Sequence, residues 1–199
     1  MNKIICAHCG ESVSYQYKCS NCLMVLPIIE TNPFLLLGVT SSFILTKEII
    51  QDALVSKLLL YHPDRFALAD SLTKEIVTKN AAIINEAAKI LENDIKRAEV
   101  LLSINGFDAI SHSSNSPTQD VLVDFLEIQE QIEESVTEDE CENCIEHLNK
   151  KLKNNYNKIA KAFDKHNFSQ ASILCIERNF LIRLKINAEN KLEGLYEIL

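Results

Sequence analysis

Glycine and proline are scarce, four of each in 199 residues. A chain with so few breakers and 47% hydrophobic residues is not a disordered segment, and helix is favoured. Basic residues are outnumbered, 20 against 28 acidic, for a net charge of -8. That balance argues against duplex nucleic acid or an anionic membrane as the main partner. It leaves room for a local basic patch. No apolar run approaches the roughly 18 residues that span a bilayer. Met1 to Ile5 carry one Lys and two Ile ahead of Cys6, too few for a signal or transit peptide. A chain that starts there is expected in a reducing compartment. There is no Gly-rich phosphate loop, no pair of catalytic carboxylates and no Cys–His nucleophile setting. The chain is not expected to bind ATP.

Cysteine, by contrast, is plentiful. In a reducing setting seven cysteines suggest metal or free thiols before disulfides. Cys6-Ala7-His8-Cys9 and Cys19-Ser20-Asn21-Cys22 stand nine residues apart. Two such pairs bring together four thiolates, the number and softness that tetrahedral zinc takes. Gly10 follows the first pair, where a left-handed angle is often needed. The interval with Tyr15 and Tyr17 is expected to form a small hairpin. So short a segment cannot build its own core, so one structural zinc would supply its folding energy. Disulfides or a redox pair are the alternatives, and the redox one lacks a thioredoxin-like surround. His8 is expected to be a neighbour of the site, not a ligand.

Helical signals fill the remainder. Asn32-Pro33-Phe34-Leu35-Leu36-Leu37-Gly38 reads as a short capped helix. Thr46 and Glu48 open a second, whose apolar face is Ile50, Leu54, Leu58 and Tyr61, with Leu59 and Leu60 broadening it. It must stop at His62-Pro63-Asp64, because Pro63 cannot continue a helix and bars its predecessor from helical angles. His62 and Asp64 then stand on an exposed loop, where function usually sits. A third helix is expected over 71–92 with a stripe through Ile76, Ile83, Ala87 and Ile90, and Ile84 and Leu91 beside it. The pair makes an antiparallel hairpin. A fourth runs from Asp94 to near Gly106. Residues 107–118, rich in serine, read as a linker.

Residues 119–135 carry Leu122, Phe125, Leu126, Ile128 and Ile132. Thr137 with Glu140 is a capping box opening a long helix through Cys141, Ile145, Leu148, Leu152, Tyr156, Ile159 and Phe163. A break at Asn167 to Ser169 precedes a last helix through Leu174, Leu181, Leu184, Ala188, Leu192 and Leu195. These three predict an antiparallel bundle. The fold class is therefore all-α: a helical hairpin and a three-helix bundle behind a small zinc knuckle. Cys141, Cys144, His147 and Cys175 could be read as a second ligand set. Partly buried helix positions are the favoured reading.

Tyr61-His62-Pro63-Asp64-Arg65-Phe66, Ile84-Asn85-Glu86-Ala87 and Lys96-Arg97-Ala98-Glu99-Val100-Leu101-Leu102-Ser103-Ile104-Asn105-Gly106, with Asn32-Pro33-Phe34 before them and the bundle after, resemble the HscB family of J-domain co-chaperones. The resemblance covers roughly residues 32–199. The four-cysteine segment is similar to an extension found in some members, chiefly eukaryotic ones. The resemblance implies a zinc module over 1–30, a J-domain over 31–106, the linker at 107–118, and a scaffold-binding bundle over 119–199. It implies a protein that stimulates the ATPase of a DnaK/HscA-type chaperone and brings it an IscU-type iron–sulfur scaffold. His62, Pro63, Asp64 and Arg65 would meet the chaperone. Leu122, Val123, Leu126, Glu127, Glu130 and Phe180 would meet the scaffold; plain bundle core is the competing reading for them. Protein complex oligomerisation is a family property, and a homodimer is compatible with it. The expected compartment is a bacterial cytoplasm or, alternatively, the mitochondrial matrix.

One departure stands out. The family's helix before the loop presents several basic residues to the chaperone, whereas here Leu58-Leu59-Leu60 precede Tyr61, with Lys47 and Lys57 upstream. A zinc-bearing nucleic-acid or protein adaptor is the alternative function. Its weakness is that Lys3 and Lys18 are the only basic residues near the knuckles. A thiol- or metal-transfer enzyme built on Cys6, Cys9, Cys19 and Cys22 is the remaining alternative.

Overall fold

A computed structural model of the chain describes residues 3–14, 16–107 and 117–196. Most of the expected linker, 108–116, lies outside the described residues, as does Tyr15. The fold is all-α apart from one two-stranded ribbon. By contact the chain divides into two units, Met1–Ser41 with Leu45–Asn93 and Ser42–Ile44 with Asp94–Leu199.

The first unit starts with strands β1 (Lys3–Ile5) and β2 (Ser12–Ser14), paired antiparallel with Ile4 opposite Val13. The expected hairpin lay inside the interval 10–18. Instead the strands flank the first cysteine pair, because the Cys6–Gly10 knuckle is itself the turn: the Gly10 amide donates to Cys6 O at 2.9 Å. Helix α1 (Pro33–Leu37) is capped as predicted. Asn32 Oδ1 accepts from the Phe34 amide, and Gly38 closes it at φ 77°.

Helix α2 (Lys47–Tyr61) begins under Thr46, whose hydroxyl accepts from the Ile49 amide. Helix α3 (Ser71–Glu92) begins under Asp70, and its residues pack against α1 and α2. Two details differ from the expectation. Leu59 and Leu60 are exposed, and the buried face of α2 is narrower, Ile50 and Tyr61 with Leu54 and Leu58 half-buried. In α3 the fully buried line is Val77, Ile84 and Leu91, while Ile83 is exposed. Ala81, Ala87 and Ala88 lie on the buried side.

Asn80 is the polar exception in that line, 1% exposed. Its Oδ1 accepts from the Ile28 amide at 2.9 Å, and its Nδ2 donates to Leu26 O at 2.9 Å. Both otherwise buried backbone groups are thus satisfied by one side chain. The N-terminal segment is tied to the hairpin through it.

In the second unit, α4 (Asp94–Ile104), α5 (Gln119–Glu134), α6 (Glu138–Asp164) and α7 (Phe168–Tyr196) pack together. The sequence reading ended the J-domain at Gly106; by contact α4 groups with α7. Ser42–Ile44 joins this unit because the Phe43 ring stacks on Phe163, with centroids 5.5 Å apart, and the buried Arg97 Nε donates to Phe43 O. The bundle core is Phe125, Ile128, Ile132, Leu148, Leu181, Leu184 and Ala188. The Thr137–Glu140 capping box is formed in both directions. The break before α7 falls at 165–167, earlier than Asn167 to Ser169. His166 takes φ 56° and Asn167 caps the new helix by accepting from the Gln170 amide.

Candidate functional site

Each cysteine pair sits on a knuckle, and the two knuckles are built alike. The Cys6 amide donates to Glu11 O and the Cys19 amide to Met24 O, at 2.9 and 2.8 Å. The Gly10 amide donates to Cys6 O and the Leu23 amide to Cys19 O. The residue after each pair is left-handed, Gly10 at φ 72° and Leu23 at φ 62°. The backbone therefore presents four sulfurs to one point, all within 4.8 Å of one another.

The Cys6 and Cys22 sulfurs are 3.6 Å apart and those of Cys9 and Cys19 3.8 Å. A tetrahedron of zinc–sulfur bonds of about 2.3 Å sets its sulfurs roughly 3.8 Å apart. A disulfide needs about 2.05 Å, and all seven cysteines are free. The donor set fits a closed four-coordinate metal ion. His8 is exposed and outside the group, as expected.

The thiols differ in acidity. The Glu11 backbone and the Asn21 side chain draw the Cys9 thiol down to about 6. At Cys22 the Met24 backbone pulls downward, but desolvation and the three neighbouring sulfurs outweigh it and push the thiol up to about 12. Four sulfurs so close cannot all lose protons without a cation between them, so metal binding must displace protons.

The His-Pro-Asp segment forms a single 3₁₀ turn, Pro63–Phe66, between α2 and α3. His62 ends α2 and caps this turn, its Nδ1 accepting from the Asp64 amide at 3.3 Å. The Asp64 carboxylate stands 3.6 Å from the same nitrogen. His62, Asp64 and Arg65 are exposed, and the Arg65 guanidinium donates back to Leu59 O. On α2 beside them, Ile49, Val55, Leu59 and Leu60 are exposed and Lys57 is half-buried. The two residues directly before Tyr61 thus expose apolar side chains.

Within the second unit, Leu122, Val123 and Leu126 are exposed on α5, Leu126 the most at 65%. Glu127 and Glu130 are exposed beside them. On α7 the exposed Phe180 ring lies against the Phe125 ring, with centroids 5.3 Å apart. The core positions of α5 are Phe125, Ile128 and Ile132, so the six named residues sit outside it.

The remaining cysteines form no ligand group among the described residues. Cys141 and Cys175 are buried, and burial pushes the Cys175 thiol up to about 12. Cys144 lies 3.8 Å from the Ser135 hydroxyl. Two residues that matter here escaped the sequence reading. Asn80 is visible in hindsight as a lone polar residue among Ile76, Val77, Ala81 and Ile84. Tyr17, which donates to Leu60 O at 2.8 Å, carries no such signal.

Residues 118–189 match the family described as the HSCB C-terminal oligomerisation domain. The co-chaperone protein HscB of Proteus mirabilis is 26% identical over 168 residues, covering 82% of this chain and 97% of its own length. The crystal structure of human co-chaperone protein HscB superposes with a TM-score of 0.79 over 98% of this chain and 99% of its own, at 21% identity. Chaperone HscB from Vibrio cholerae gives 0.72 over 83% of this chain and 99% of its own, also at 21% identity. No unmatched module of thirty residues fits into the 2% left by the human structure, so that likeness includes most of the four-cysteine segment. Residues 118–189 thus match the HSCB C-terminal family, and over most of its length the chain is similar to the HscB co-chaperones in sequence and in fold.

Proposed function

We propose that this chain stimulates the ATPase of a DnaK/HscA-type chaperone and delivers to it an IscU-type scaffold on which iron–sulfur clusters are assembled. The reading rests above all on the exposed His62 and Asp64, held on a one-turn loop between α2 and α3. A carboxylate so placed can accept a charge-assisted hydrogen bond from an arginine of the chaperone. The chain has no chemistry of its own in this reading. Leu122, Val123, Leu126 and Phe180 offer apolar area, and Glu127 and Glu130 an acidic rim, to the scaffold. Cys6, Cys9, Cys19 and Cys22 hold one structural zinc, which supplies the folding energy that so small a segment lacks. Seven cysteines outside any disulfide suit a reducing compartment, the bacterial cytoplasm or the mitochondrial matrix.

His62→Gln should abolish stimulation of the chaperone's ATPase while leaving the fold and scaffold binding intact. Leu126→Ala should do the reverse, weakening scaffold capture about tenfold or more, as truncation of a central interface residue does. A folded His62→Gln protein that stimulates fully would refute the first assignment. Unchanged scaffold binding by Leu126→Ala would refute the second.

A further inference from the structure

Pro63 has no N–H, so α2 ends on carbonyls that the helix backbone does not serve. In an unbroken helix the amide of residue 63 would serve Leu59 O, and that of residue 64 would serve Leu60 O. Here the Asp64 amide is occupied by His62 Nδ1 at 3.3 Å. Side chains take both carbonyls instead. The Arg65 guanidinium, from the loop itself, donates to Leu59 O. The Tyr17 hydroxyl donates to Leu60 O at 2.8 Å, and it comes from the interval between the two cysteine pairs. The cap that holds His62 in place and the tyrosine that holds the helix end are therefore parts of one arrangement.

Tyr17 is fixed from both sides. Its ring meets that of Tyr61 edge-on, centroids 5.0 Å apart and planes at 88°. Its own carbonyl accepts from the Leu26 amide at 3.1 Å, and the next residue, Lys18, bridges to Val25. The ligand candidate Cys19 follows directly. The four-cysteine segment thus reaches the last turn of α2 through one aromatic side chain.

We propose that Tyr17 is a positioning residue for the His62-Pro63-Asp64 loop: by serving the Leu60 carbonyl and bracing Tyr61, it fixes the helix end from which the loop departs. The four-cysteine site is thereby connected to the loop. A zinc ion that orders residues 6–22 also orders Tyr17, and loss of the ion releases the helix end. The functional half of this inference rests on the reading of the loop as the chaperone contact.

The test uses the full zinc-loaded chain. Tyr17→Phe keeps the ring against Tyr61 and removes only the hydroxyl. Amide hydrogen exchange at Asp64 and Arg65 should quicken about fivefold, the weight of one ordinary hydrogen bond. Zinc content and protection in the centre of α3 should stay as in the wild type. In the chaperone ATPase assay, maximal stimulation should fall several-fold while the half-saturating concentration moves less than twofold, because the contact surface is intact but its geometry is not. Stripping zinc with a chelator should quicken the same amides in the wild type and add little more in Tyr17→Phe, the non-additivity of a shared path. Unchanged exchange at Asp64 and Arg65 in Tyr17→Phe would overturn the proposal. So would full stimulation by Tyr17→Phe in an assay where His62→Gln abolishes it. Full stimulation by His62→Gln would instead overturn the reading of the loop. The exchange result, which needs no chaperone, would still decide the positioning claim.

Discussion

Asn80 and Leu148 are both fully buried, and they join their neighbours by opposite means. Asn80 joins α3 to backbone groups 52 and 54 residues away through two directed hydrogen bonds. Tyr17 makes a similar long reach to Leu60. Leu148 is one of seven buried side chains in a continuous apolar seam shared by α5, α6 and α7. Among the described residues, the N-terminal segment has a small buried cluster of its own, Cys6, Val13, Cys19 and Leu26. A segment with so little apolar area must be attached by directional contacts. The bundle has directed bonds of its own, Asn155 Nδ2 donating to Leu174 O at 3.0 Å among them, but its seam spreads the attachment over many dispersion contacts.

The largest effect that separates the two should come from shape-conserving substitutions. Leu148→Met should cost under about 1.5 kcal/mol, as volume-conserving swaps in a packed core do. Asn80→Leu fills the same space but strands the Ile28 amide and the Leu26 carbonyl. It should cost about 3 kcal/mol, roughly 1–3 for each buried group left unsatisfied. Hydrogen exchange in the centres of α3 and α6 measures each unit separately. An Asn80→Leu protein no worse off than Leu148→Met would erase the distinction.

A smaller effect comes from pH and belongs to the bundle. Desolvation raises the Glu177 carboxyl above its ordinary range, although Lys158 and a hydrogen bond from Asn155 pull the other way. The folded chain then holds this proton more tightly than the unfolded chain. Stability is therefore lost as pH rises through the window between the ordinary and the raised values. Glu177→Gln should make the bundle more stable above that window and no more stable below about pH 4. Parallel melting curves for the two proteins across that range would show that the carboxyl is not desolvated in solution.

The contrast between the units also explains what could be read from the chain. Helix ends were legible because caps are local: Asn32, Thr46, Gly38 and the Thr137–Glu140 box act within a turn of themselves. The bundle seam was legible because an apolar repeat states its own face. The four ligand candidates were legible because two knuckles at that spacing leave few other arrangements. The attachments of the N-terminal segment were not. Tyr17 and Leu60 stand 43 residues apart, and nothing near Tyr17 in sequence says where its hydroxyl goes. The orientation of Leu59 and Leu60 was misread for a related reason. Period alone widens an apolar face, but neighbours decide how much of it is covered.

The smallest effect tests the likeness of the two knuckles themselves. Gly10 and Leu23 occupy the same place, both left-handed. For Leu23 that conformation costs roughly 1–2 kcal/mol, and at 69% exposure its side chain recovers little by packing. Leu23→Gly removes that cost but gives the unfolded chain more freedom, worth about 0.5–1 kcal/mol. The net gain should be about 0.5 kcal/mol, close to a twofold increase in zinc retention against a competing chelator. The mirror substitution isolates the backbone. A Cβ at Gly10 meets nothing within 4 Å, so Gly10→Ala should lose zinc more readily through its dihedral angle alone. If Leu23→Gly instead weakens zinc retention, then Leu23 contributes packing that Gly10 does not, and the second knuckle is held by its side chain where the first is held by its backbone.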